Sequence, residues 1–418
     1  MTLNYNGPRC ACCIMPEAEG HITLGKNGVC SVCRNLQEKS VPSQSFDSKS
    51  PEEKLETLKK IVAPYKKGNR YDCAVSVSGG KDSIMTLYVA VCVLGLNPLA
   101  IIIDNGFALD EMYANVKNAT DILGVDLMVF KTADLLKIFP QMIRSGKPIY
   151  YCRVCHALID NAIRRIAHQN GIDLILGGYT KGQQYIRNSE LFWIYKESDE
   201  NAVELFRTMS GYEDYADLIH NQNKYFREHY GNMRLLSPFK YIEWNEDKIL
   251  DIITRELKFQ LPKRSWPDKS SNCSFNYVAQ YLTEKVFRYG QHEVELSELV
   301  RVGEMSRERA LEIIHSPIEE SDLEKPLEKM GLTVTNSEMK KQVIEMFLEN
   351  VPELEGIEIA NDTMLISSGY VDSFSVIKMI ALFEDAFSVT IDLDEINYED
   401  FETVDSIVDK VILKGASV

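Results

Sequence analysis

Cys73-Ala-Val-Ser-Val-Ser78-Gly-Gly-Lys-Asp-Ser83 decides the fold of this chain. Cys73–Val77 is a short apolar run that enters a Gly-Gly turn, and Ser83–Leu94 continues as a helix. Such a turn binds phosphate when backbone N–H groups can point at oxygen. Glycine permits that approach, and the following helix adds its positive end. Ser78, Gly79 and Gly80 supply the nest, Lys81 a cation, and the Ser78 and Ser83 hydroxyls further donors. Asp82 would repel phosphate directly, so its expected task is to hold Mg2+. A bare Gly-Gly is usually a solvated turn; the strand before it and the Lys-Asp-Ser and helix after it weigh against that here. The spacing is not G-x-x-x-x-G-K-S/T, which excludes the kinase-type and GTPase-type loop.

Outward from this stretch the strand-then-helix unit repeats. Leu99–Ile103 reads as a strand ending at Asp104-Asn105-Gly106, Asp110–Leu123 as a helix and Leu127–Phe130 as a strand. Ile159–Gln169 reads as a helix, and Leu174–Leu176 as a strand running into Gly177-Gly178. The alternation predicts an α/β fold with a doubly wound parallel sheet and a ligand at the carboxyl ends of its strands. Asp104 is then placed to reach a nucleotide ribose or Mg2+. Gly177 and Gly178, with Lys181, are placed to close the nucleotide site, a plain strand-end turn being the competing reading. Pro51–Val62, Asn245–Glu256, Phe275–Tyr289 and Ser306–Ile314 have helical spacing. Between Thr180 and Tyr241 aromatics such as Phe192, Trp193, Tyr212, Tyr225 and Tyr230 recur without strand periodicity, which suggests an inserted helical segment.

The chain has 418 residues, 45% hydrophobic and 26% charged, enough for two or three globular domains. No apolar run has signal-peptide or membrane-span length, so a cytoplasmic protein without a membrane partner is expected. A net charge of −16 argues against nonspecific nucleic-acid binding. From Ser337 onward 18 acidic residues face five lysines, which marks an acidic terminal module on a nearly neutral body. The expected organisation is a cysteine-rich segment 1–36, a linker and helix 37–70, the α/β domain 71–316, a polar linker 317–336 and the terminal module 337–418.

Ten cysteines need a reason in a reducing compartment, and six fall in C-x-x-C pairs. Cys10-x-x-Cys13 and Cys30-x-x-Cys33, 16 residues apart, suit a four-thiolate zinc ribbon whose closed shell makes the metal structural. Cys12 is left over. Cys152-x-x-Cys155 has no partner pair nearby, and Cys273 lies far along the chain. Three readings stand for this set: a 4Fe–4S cluster with one iron open, a second zinc with His156 as fourth ligand, and persulfide transfer. Cys73 and Cys92 read as core.

Val77–Ser83 resembles the signature of the N-type ATP pyrophosphatases, or PP-loop proteins, a Rossmann-like family. A tighter resemblance over about residues 8–315, to the N-acetyl sugar amidotransferases of surface-polysaccharide biosynthesis, rests on several blocks. They are Cys10–Met15-Pro16, Gly28-Val29-Cys30–Cys33, the loop, Cys152-Arg-Val-Cys155-His156 and Asn272-Cys273-Ser-Phe-Asn276. The resemblance implies ATP-dependent transfer of AMP to a carbonyl oxygen, loss of pyrophosphate, and displacement of AMP by nitrogen or sulfur. Cys152, Cys155 and Cys273 resemble the set in PP-loop tRNA thiolases, whose cluster is thought to carry sulfur on its open iron.

Gly369-Tyr-Val-Asp372-Ser373-Phe374-Ser375, followed by Val376, Met379, Ile380 and Phe383 on one helical face, resembles acyl or peptidyl carrier proteins. In those proteins the serine carries 4′-phosphopantetheine. The resemblance implies a phosphopantetheinyl transferase as partner and a tethered acyl substrate, in a secondary-metabolite pathway. Alone, Ser373 reads as an ordinary helix N-cap. The acidic balance and Asp392–Asp400 ahead of a last helix favour the carrier reading. Three functions follow as expectations. The first is amide or amidine formation with nitrogen from solution or a glutaminase partner. The second is sulfur insertion fed by a sulfur-donor protein, and the third a carrier scaffold without turnover. Intact Lys81, Asp82 and Asp104 argue against the last.

Overall fold

Five strands form one parallel sheet: β1 (Cys73–Ser76), β2 (Pro98–Asp104), β3 (Asp126–Lys131), β4 (Leu174–Gly177) and β5 (Arg234–Leu236), ordered β3-β2-β1-β4-β5. β1, β2 and β4 are buried almost throughout, as strands covered on both faces must be. The edge strand β3 keeps Asp126, Val129 and Lys131 exposed. The computed structural model describes residues 7–18, 22–38, 49–180, 196–267, 272–287, 289–332, 336–354, 356–357, 359–387, 389, 391 and 397–413.

Two short helices precede the sheet, α1 (Ser31–Glu38) and α2 (Pro51–Val62). α2 starts in a reciprocal cap: Glu53 N donates to Ser50 Oγ and Ser50 N to the Glu53 carboxylate. The crossovers are α3 (Lys81–Tyr88), which widens into a π turn over Val89–Val93, and α4 (Asp110–Leu123). α5 (Asp134–Arg144) and α6 (Tyr151–Gln169) then lead from β3 to β4. The chain therefore runs from β1 outward to β3 and returns to the other side of β1. The reversal falls between β1 and β4, where open α/β sheets bind ligands. Ile163, Ile166 and Ala167 of α6 pack on Ala74, Leu99, Ile101 and Ile103 of the sheet.

α7 (Lys196–Thr208), α8 (Tyr215–His220) and α9 (Gln222–Tyr230) precede β5; α10 (Glu246–Leu257), α11 (Asn276–Phe287), α12 (Gln291–Arg301), α13 (Arg307–Ile314) and α14 (Glu320–Glu328) follow it. Several expectations are corrected here. The described residues 196–241 are largely helical but also hold the edge strand β5, too short at three residues to show a period. α6 begins eight residues before Ile159, so Cys152 and Cys155 lie inside a helix rather than ahead of one. α5 and α12 were not expected, and α14 occupies part of the polar linker despite Pro326. Lys181, Phe192, Trp193, Arg288, most of Ser40–Ser50 and Asp392–Ile396 lie outside the described residues.

Residues fall into two compact units, one of Met1–Leu135 with Pro148–Asp322 and one of Leu136–Lys147 with Leu323–Val418. The second contains α15 (Asn336–Asn350), α16 (Ser373–Phe387) and α17 (Val404–Leu413) around a core that includes Val343, Phe347, Met379, Phe383 and Ile407. Met379, Ile380 and Phe383 are buried, as the helical spacing requires. Phe383 stacks edge-on against Phe347 at 5.9 Å. Phe383→Ala is expected to cost about 3–5 kcal/mol in this unit. Hydrogen exchange of the α15–α17 amides in the full chain would show it as lost protection, with protection in β1 and β2 unchanged.

Candidate functional site

The turn after β1 is shaped by two close backbone approaches. Gly79 has φ +82, and a Cβ there would lie 2.3 Å from the Met112 carbonyl oxygen of α4. A Cβ on Gly178, just past β4, would meet the Asp82 carbonyl carbon and oxygen at 2.6 Å. Asn115 of α4 fixes the turn from below, donating to Gly79 O at 3.1 Å and to Gln260 O at 2.9 Å. Ser83 Oγ donates to Gly80 O at 2.9 Å and accepts from Ser78 N at 3.1 Å. Ser83 thus staples the turn, its single proton committed to a carbonyl, while Ser78 Oγ lies 3.2 Å from it. Gly178, just past β4, thus lies against the first turn of α3.

Lys81 is 9% exposed at the start of α3. Its Nζ lies 3.4 Å from Asp82 and 3.5 Å from Glu246, and 5.7 Å from the centre of the Trp244 ring. Burial disfavours its charge, but Asp82, Glu246 and Glu295 outweigh that and raise its pKa above the ordinary lysine value. Asp82 also accepts from Trp244 Nε1 at 2.7 Å, and Glu295 accepts from Thr180 Oγ1 at 3.0 Å. Trp244, Glu246, Glu295 and Asn115 were missed in the sequence; each lies far along the chain, without a local motif. Asp104, at the end of β2, accepts from Gly106 N at 3.0 Å and lies 3.9 Å from Lys131. Near it a shallow cleft opens between β2, β3 and α6. Ile103, Phe130, Leu158 and Ala162 give it apolar walls, and Asn105 and Arg165 polar ones.

Cys273 pairs by backbone with Ala108, with Ser274 N donating to Phe107 O at 2.8 Å. Asn272 of the same block borders Gly80. Phe275 packs on Phe107 at 5.1 Å and on Tyr151 at 5.7 Å. The block thus meets both the phosphate turn and the first turns of α6, where Asn105 Nδ2 lies 3.7 Å from Cys155 Sγ and Cys152 Sγ 3.5 Å from Asn276 Oδ1. Burial pushes the Cys152 thiol up to about 12, with the charge of Cys273 adding to it. Cys155 is raised by burial and then by Cys273 and Cys152. The three thiols are therefore electrostatic neighbours. They are not among the groups whose ligand atoms all lie within 4.8 Å of one another, the spacing one ion requires. A cluster, whose thiolates bind different irons, asks for wider spacing. His292 lines the Cys152 pocket, its pKa pushed down to about 4 by burial and then by the charge of His156.

Cys10, Cys13, Cys30 and Cys33 are buried, their sulfurs within 4.8 Å of one another. The amides of Cys12, Cys13 and Cys30 donate to Cys10 Sγ at 3.2–3.4 Å, as they would to a thiolate. Hydrogen bonds from Cys13, Cys30 and Cys33 hold Cys10 far below the usual thiol range, and bonding to Cys10 pushes Cys33 far above it. Four sulfurs this close compete for protons, a conflict that a divalent cation removes, so the donor set fits zinc. Arg301, 3.9 Å from Cys33 Sγ, offsets part of the thiolate charge. Cys12 is exposed.

In the second unit, Ser373 is exposed as the first residue of α16. The capping role falls to Asp372, whose carboxylate accepts from Ser375 N at 2.8 Å. The neighbouring Phe374 and Ile377 are 79% and 58% exposed.

A central phosphate-type turn at a sheet reversal, with a terminal helical carrier module, describes the class of protein. Residues 341–411 match the family model described as "Phosphopantetheine attachment site". Residues 271–348 match "LPS biosynthesis protein WbpG-like, C-terminal domain". An uncharacterized protein of Methanocaldococcus jannaschii is 26% identical over 329 residues, which is 78% of this chain and all of that relative. Among solved structures, the U34-tRNA thiolase NcsA of Methanococcus maripaludis with its 4Fe–4S cluster is 16% identical at a TM-score of 0.35, over 73% of this chain and 88% of that one. The NH3-dependent NAD synthetase of Campylobacter jejuni is 11% identical at 0.28, over 52% and 100%. NMN synthetase of Francisella tularensis is 14% identical at 0.28, over 57% and 94%. Likenesses this weak carry no functional weight. Among the described residues no helix is long and apolar enough to cross a membrane.

Gly79→Ala is expected to weaken binding of a non-hydrolysable ATP analogue by about tenfold or more, since its Cβ meets backbone and its φ is left-handed. Calorimetric titration checks this, with Gly124→Ala, left-handed but in open space, as the control that retains affinity.

Proposed function

We propose that this chain is an ATP pyrophosphatase-type adenylating enzyme. A carbonyl or amide oxygen of the substrate attacks the α-phosphorus of ATP and pyrophosphate leaves. A nitrogen nucleophile then adds to the activated carbon, and AMP departs with the oxygen. The observation that carries this is the Ser78–Ser83 turn at the β1/β4 reversal, with the cation of Lys81 at its base. Gly79, Gly80 and the start of α3 would take the pyrophosphate oxygens, and Gly177 and Gly178 keep the far wall close. The residues lining the cleft at the end of β2 would take the adenosine, a flat apolar base with polar edges. Asp82 and Asp104 are the carboxylates that would hold Mg2+, which neutralises phosphate charge when bound.

Ser373 would carry 4′-phosphopantetheine through its hydroxyl, which supports delivery of a tethered acyl substrate at high local concentration. A phosphopantetheinyl transferase is the partner this requires. The resemblance of residues 8–315 to N-acetyl sugar amidotransferases supports nitrogen as nucleophile, from ammonia or a glutaminase. A second reading, sulfur insertion fed by a sulfur donor, is supported by Cys152, Cys155 and Cys273 meeting beside the turn. Those thiols would hold a 4Fe–4S cluster that supplies an open iron for sulfur. Cys10, Cys13, Cys30 and Cys33 would hold structural zinc in either case.

Three measurements on the anaerobically purified full chain test these readings. Lys81→Met should weaken ATP-analogue binding by at least about tenfold, while Ser373→Ala should leave binding intact and abolish phosphopantetheine loading seen by mass spectrometry. No nucleotide binding by the wild-type chain would sink the adenylation proposal. About four irons per chain with a brown colour would favour sulfur, and zinc alone nitrogen.

A further inference from the structure

The ribbon and the Cys152 pocket share a wall. Tyr150, 2% exposed, belongs to the apolar cluster of Cys10, Cys13, Ile22, Cys30 and Cys33. It also lines the pocket with Cys152, Asn276 and His292. It is the residue from which α6 starts, two positions before Cys152. Its amide donates to Ser198 Oγ at 2.8 Å, and its ring faces Tyr289 at 6.5 Å. The helix α12 makes a second connection. Its His292 lines the pocket, while Glu293 lies 4.0 Å from Arg9 and Ser297 Oγ accepts from Ile14 N at 3.3 Å. At the head of α13, Arg307 donates to Cys10 O at 2.9 Å and to Cys13 O at 3.0 Å.

We propose that the metal state of the ribbon sets the geometry of the Cys152 pocket, with Tyr150 as the positioning residue that transmits it. A ribbon this small has little core of its own and depends on its metal to stay folded. Without the metal, its four sulfurs no longer share one centre and the cluster around the Tyr150 ring opens. The start of α6 then loses a wall and exposes Cys152 by local opening, while the sheet core stays closed. The inference rests on a metal in the ribbon and needs neither ATP nor turnover.

The test is the rate of iodoacetamide alkylation of Cys152 in the anaerobic full chain, read by peptide mass spectrometry, with zinc and iron measured alongside. Cys73, fully buried in β1, is the internal control. Cys30→Ser and Tyr150→Ala should each speed Cys152 alkylation by about tenfold or more at unchanged Cys73 rates. Tyr150→Phe, which keeps the ring, should stay within about twofold of wild type. Unchanged Cys152 rates in both variants would overturn the proposal, and so would Cys73 rising in step, which marks global unfolding. A Tyr150→Phe chain as reactive as Tyr150→Ala would overturn the role of the ring, and a zinc-free wild-type ribbon the role of the metal.

Discussion

Three backbone segments converge where β1 ends, and the remainder of the site depends on how closely they meet. Met112 of α4 leaves no room for a side chain on Gly79, and Gly178 presses on the Asp82–Ser83 peptide in the same way. The turn is consequently narrow, with Ser83 tying Ser78 N and Gly80 O together from inside. Such a turn holds its backbone in place. Burying Lys81 beneath it is costly in isolation. Asp82, Glu246 and Glu295 make the charge tolerable, and removing any one of them would leave a less compensated buried ion.

The same economy of space brings the thiols together. Asn272 touches the turn while Cys273, on the next position, pairs with the loop after β2, so the cysteines and the turn share one end of the sheet. Burial, and then the charges of the neighbouring cysteines, work against thiolate formation at Cys152 and Cys155. The ribbon solves its own charge problem differently, through sulfur-directed amides and Arg301.

The terminal unit is built on other terms. Its core is carried by aromatic and aliphatic residues of three helices and the segments between them, and the buried Lys340 pairs with the part-exposed Asp405 at 2.7 Å. Phe374 and Ile377 beside Ser373 are exposed at the start of α16. Asp372 caps that helix.

Much of the fold was legible from local pattern. β1, β2 and β4 are apolar runs ended by glycine or Asp-Asn-Gly, and α2, α4 and α10 carry their starts and stops in sequence, because caps and periodicity act within a few residues. β5 was not legible, since three residues have no period and its place comes from pairing with β4. The start of α6 was missed because it is held from outside, by Ser198 on Tyr150 N and by Asp199 on Arg153 at 2.5 Å. By itself the sequence determined the turn at 78–83, the cysteine pairs and the Asp372-Ser373 helix start, each a short motif whose chemistry is complete within a few residues. Only the tertiary structure decided that Trp244 and Glu246 face Lys81 and Asp82, that Cys273 comes to Cys152 and Cys155, and that Tyr150 joins the ribbon to the Cys152 pocket. Those contacts span tens to hundreds of positions, and only the packing of sheet and helices selects them.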